Sequence, residues 1–206
     1  MATHQPTAIL GVTEHGNSAV LVTMASNGEL LDRRRVDLTV GLPTHPHHHE
    51  GSWAVGRYRN SPWAREVSLE EAVELVERVG DAAARGAREC LEAVAAALPL
   101  PVTGIAIREC PELPATIEER IKDNRAQTFA DSVMYRQALA AAARALGWSV
   151  YWYNREGVFL EASKALGCDD IKAFLAALGR AIGPPWQTKQ KLAAAAAIAA
   201  TAKVSL

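Results

Sequence analysis

The chain has 206 residues, 49% hydrophobic and 22% charged, with a formal net charge of -1; it has the apolar mass for one sizeable core and no global basic field to draw in nucleic acid. The cysteines Cys90, Cys110 and Cys168 fit neither a CxxC metal spacing nor a disulfide framework. With no basic and apolar leader at the N-terminus, they predict reduced thiols in a cytoplasmic protein. No stretch reaches the roughly 18 apolar residues of a membrane span, so no membrane partner is expected.

Three strands are predicted first, over residues 7–14, 18–25 and 29–38. The run AILGVTE ends at an acid, His15 and Gly16, the pattern of a buried strand that delivers polar groups at its C-terminal end. Asn27-Gly28 is a hairpin signal, because both residues tolerate positive φ. Asp32, Arg33, Arg34 and Arg35 in a row mark the third strand as an edge. Residues 40–67 form a long His/Trp-rich loop with three prolines, three glycines, two tryptophans and the cluster His45, His47, His48 and His49. A loop of that length inside a compact domain is uncommon unless functional.

Ser68 and Glu71 form a capping box that opens a helix over 69–98, with Gly80 and Gly86 as points of breakage or bending. Residues 102–107, VTGIAI, read as a short buried strand followed at once by Arg108 and Glu109. A helix over 115–146, a fifth strand over 149–153 and helices over 156–166, 169–182 and 187–203 complete the chain.

A meander followed by helix, strand, helix, strand and helices predicts a single α/β domain over 1–206. Its mixed five-stranded sheet, an antiparallel meander then parallel crossovers, is flanked by helices, with 155–206 a C-terminal helical part. If the first strand lies beside the fourth, the C-terminal ends of the first, third, fourth and fifth strands share one edge, where open α/β sheets gather ligands.

That edge would collect Glu14, His15, Glu109 and the histidine cluster. Imidazoles with carboxylates suit a divalent metal ion, and His47 and His49 would face one way on extended backbone. Such an ion would lower the pKa of bound water and polarise a phosphoryl or ester oxygen. The competing reading is a solvated, proline-broken loop and strand-end acids that cap helices. Arg33, Arg35, Arg57 and Arg59, near Trp53, Tyr58 and Trp63, form a set able to hold phosphates and stack bases, or else a solvated edge strand with a loop anchored by its tryptophans. The alanine-rich stretches 138–145 and 193–200 allow close packing, within the chain or between subunits of a homo-oligomer.

This element order, with Glu14 closing GVTE and Glu109 directly after VTGIAI, resembles the ribonuclease H-like superfamily, which includes RuvC-type resolvases. The resemblance implies acids on strand one, at the end of strand four and on the last helix that hold two divalent ions for phosphodiester hydrolysis. On this chain it makes Glu14 and Glu109 the catalytic, metal-binding acids and nucleic acid the partner; the loop residues His47, His49 and Glu50, read from their own ligand chemistry, would complete or orient the site, with manganese, magnesium or zinc as the ion. The last helix departs from the scheme, because Lys189 and Lys191 stand where acids belong and would repel the ions. The expected function is a metal-dependent, nuclease-like phosphodiester hydrolase at the sheet edge; the alternative is a non-catalytic interaction protein that keeps the fold without its chemistry.

Overall fold

A computed structural model of the chain describes residues 6–47 and 68–204. Strands β1 (Ala8–His15), β2 (Ser18–Ala25) and β3 (Leu30–Asp37) make the antiparallel meander. Strand β4 (Val102–Arg108) runs parallel to β1, and β5 (Ser149–Tyr153) runs parallel to β4. The order is β3-β2-β1-β4-β5. This is the mixed, ribonuclease H-like sheet that the sequence predicts, with β1 central and the C-terminal ends of β1, β3, β4 and β5 on one edge.

Helix α1 (Leu69–Ala97) starts at the predicted capping box: Ser68 Oγ accepts from the Glu71 N–H at 3.1 Å, and the Ser68 N–H donates to the Glu71 carboxylate at 2.8 Å. It continues unbroken through Gly80 and Gly86. Gly86 is needed where the chain crosses the helix, since a Cβ there would collide with the Leu38 carbonyl. The helix predicted over 115–146 is two helices, α2 (Ile117–Lys122) and α3 (Asn124–Ala145). Asp123 divides them by leaving helical geometry, at φ −95° and ψ 112°, and its Oδ1 accepts from the N–H groups of Arg125 at 2.7 Å and Ala126 at 3.1 Å.

Both faces of the sheet are covered, which is why β1 and β2 read as continuous apolar runs. Ala8, Leu10 and Val12 join Ile105 and Ile107 in a core with α1 and α3. Ile9, Val20, Val22 and Ala106 face the opposite way, toward α4 (Val158–Leu166), α5 (Ile171–Ile182) and α6 (Thr188–Val204). Every residue from Leu192 to Ala200 on α6 is buried within the chain. Gly11 permits that fit: a Cβ there would strike the Ala193 carbonyl oxygen, so the helix backbone lies directly on the strand. No helix among the described residues is long and apolar enough to cross a membrane.

Candidate functional site

Glu14 has the same parity along β1 as Leu10 and Val12, so its side chain turns to the face that α3 covers. There it meets Arg136 of α3. Arg136 Nε donates to Glu14 Oε1 at 2.8 Å, Nη2 donates to the same oxygen, and the two side chains are 6% and 7% exposed. Nη1 donates at 2.7 Å to the backbone carbonyl of Glu109, just past β4. One guanidinium thereby ties together the ends of the two central parallel strands.

The Glu109 carboxylate is exposed and turns away from this pair, accepting from Asn154 Nδ2 at 3.2 Å. Below it, the Tyr153 hydroxyl donates to the Val12 carbonyl at 2.9 Å, and burial together with the nearby Glu14 charge raises the phenol well above its usual range. Burial likewise pushes the Cys110 thiol up, with the Arg136 charge working against it. Thr13 Oγ donates to the Lys189 carbonyl at 3.1 Å, which sets the start of α6 against the end of β1. The result is a cleft of about 330 Å³ whose lining includes Glu14, His15, His45, Arg108, Arg136, Arg155 and Lys189.

The structure does not bring His47 into this cleft. Its Nδ1 lies 2.7 Å from Asp131 Oδ1, its backbone N–H donates to the same oxygen at 3.1 Å, and its Nε2 is buried with no hydrogen-bond partner. His47 is among the residues that line a separate cavity with Glu77 and Asp81 of α1. His45 takes the place at the cleft, its Nδ1 3.7 Å from Asp131 Oδ2. Burial disfavours a charged Asp131, but hydrogen bonds from His45 and His47 outweigh it and hold the carboxyl below its usual range. The Tyr135 hydroxyl also donates to the Thr44 carbonyl at 3.1 Å, so α3 holds the start of the histidine segment at two points. His49, Glu50, Arg57 and Arg59 lie outside the described residues.

Of the two arginines expected to hold phosphate on β3, Arg33 is committed elsewhere. Its guanidinium donates to the carbonyls of Ile182 at 3.2 Å, Gly183 at 2.7 Å, Pro184 at 3.1 Å and Pro185 at 2.8 Å, clasping the turn between α5 and α6. Arg35 is exposed and lines a groove beside the cleft with His15 and Lys189.

Arg136 and Asp131 escaped the sequence reading, although a signal for them exists. On α3, Arg136 falls in phase with Ala140 and Ala143, and Asp131 with Tyr135, Leu139 and Ala142, all buried. A charge at an apolar phase of a helix requires a partner, and that requirement is readable from periodicity.

A divalent ion, implied by the resemblance, does not fit the described residues at this edge. The Glu14 carboxylate is already neutralised by a guanidinium at hydrogen-bond distance, the Glu109 carboxylate points elsewhere, and Lys189 adds a further positive charge. Among the described residues no group of three or more His, Cys, Asp and Glu side chains is placed to hold a metal ion.

Strand order and site together define an α/β protein of ribonuclease H-like topology whose sheet edge is built around an arginine. Its fold is similar to two structures of RuvC from Thermus thermophilus. One, in complex with a Holliday junction substrate, is 15% identical with a TM-score of 0.45, over 97% of this chain and 96% of that one. The other is 16% identical with a TM-score of 0.41, over 97% of each chain. No family model matches the chain, and no curated protein matches it in sequence.

Proposed function

We propose that this protein is a non-catalytic binding module that takes the phosphate backbone of nucleic acid at the C-terminal edge of its sheet. The observation that carries this reading is the charge of the cleft. Arg108, Arg155 and Lys189 line it, and none of the three forms an ion pair with an acid among the described residues. The acid at its floor, Glu14, is neutralised by Arg136. A concave surface of one sign concentrates field and attracts polyanions even when net charge is near zero. Metal-dependent hydrolysis, the activity the resemblance implies, would need Glu14 free to hold an ion.

The test is fluorescence anisotropy with labelled single-stranded, duplex and four-way-junction DNA at several salt concentrations, with gel analysis of the same mixtures for cleavage in magnesium or manganese. Salt-sensitive binding without cleavage is expected. Cleavage that Glu14→Gln abolishes would replace this reading with the hydrolase.

A further inference from the structure

We propose that Arg136 is the resident cation of the sheet-edge cleft, a guanidinium built in between the ends of β1 and β4, so that the cleft takes nucleic-acid phosphate without a divalent ion. The phosphate half of this inference rests on the binding function proposed above; the metal half stands on Arg136 alone.

The guanidinium spans the two strand ends between which the ribonuclease H-like scheme holds an ion. Two of its N–H groups go to Glu14 Oε1 and one to the Glu109 carbonyl. It has the reach because α3 packs on the face of the sheet to which Glu14 turns. An ion entering here would have to pull Glu14 from a charged donor that gives it two N–H groups, leaving a buried guanidinium with little access to water. The surrounding cations Arg108, Arg155 and Lys189 oppose the same entry and favour an anion. Arginine does not deprotonate in proteins, so the charge at this point is permanent and needs no ion uptake.

The experiment has two readouts. Manganese bound to the wild-type chain is counted by electron paramagnetic resonance, and DNA affinity is measured by anisotropy with chelator and then with manganese. We expect no stoichiometric manganese and affinities within about two-fold of each other. One bound manganese per chain, or a ten-fold tightening in manganese that Glu14→Gln removes, overturns the inference and leaves the binding function intact. Absence of DNA binding under both conditions removes the binding function and with it the phosphate half, while the manganese count still decides the metal half. Arg136→Gln supplies the converse. It leaves Glu14 as an uncompensated negative charge in the cleft, so DNA affinity in chelator should fall several-fold and recover in Glu14→Gln/Arg136→Gln. A folded Arg136→Gln that binds DNA as tightly as the wild-type chain overturns the claim that the arginine supplies the cation of the site; if that variant does not fold, the wild-type count decides.

Discussion

Asp131 Oδ1 receives two hydrogen bonds from one residue, the backbone N–H of His47 at 3.1 Å and the ring Nδ1 at 2.7 Å. This contact ties the segment that follows β3 to α3, and its strength depends on the charge of Asp131. Because the folded carboxyl titrates below the ordinary aspartate range, about 3.9, the native state binds fewer protons than the unfolded state around that pH. The stability it contributes is complete above about pH 4 and is lost as pH falls through the lower folded value. Asp131→Ala should cost about 2–4 kcal/mol in urea unfolding at pH 7. The gap from wild type should narrow below pH 4. A gap that stays constant down to pH 3 would mean the charge of Asp131 is not what holds the segment.

The Glu14–Arg136 pair is buried, so removing one partner strands a charge. Arg136→Ala is expected to destabilise by about 3–5 kcal/mol, whereas replacing both residues, as in Glu14→Leu/Arg136→Met, should cost much less. A double-mutant cycle by urea denaturation measures the difference. A cost under about 1 kcal/mol for Arg136→Ala would place the pair in solvent.

Arg33 should act on stability and leave binding alone. Arg33→Ala removes donors to four carbonyls at the turn between α5 and α6 and should cost about 2 kcal/mol, with DNA affinity unchanged within two-fold. Weakened binding at full stability would return this arginine to the phosphates.

The cleft cations should behave as phosphate contacts. Lys189→Ala is expected to weaken all DNA probes alike and to lower the slope of log affinity against log salt by about 1, and the further replacement of Arg108 and Arg155 by about 2 more. Anisotropy across a salt series reads this directly; an unchanged slope in the triple variant places binding elsewhere.

Gly11→Ala tests the seating of α6. The added methyl has the Ala193 carbonyl in its way, and overpacking should cost about 1–3 kcal/mol or more, read as a lower Tm. A neutral result would mean that α6 shifts freely on the sheet.

Much of this architecture is legible in the chain because it depends on neighbours in sequence. Strand periodicity, the Asn27-Gly28 turn and the Ser68–Glu71 capping box are local patterns with local causes, and the element order restricts the sheet to few topologies. Even the position of Glu14 at the C-terminal edge of the sheet follows from that order. The division at Asp123 was local too, but it lay inside a continuous helical pattern in which a cap residue is indistinguishable from an exposed one.

Which charges meet was decided only in three dimensions. Arg136 stands 122 positions from Glu14, and Asp131 stands 84 from His47. Periodicity can say that such residues are buried and in need of partners, but not which partners they find. A carboxylate on a strand end has the same sequence signature whether it awaits a metal ion or an arginine. The packing of α3 on the sheet brings Arg136 to Glu14 and ties His47 to Asp131, contacts that no local pattern in the chain encodes.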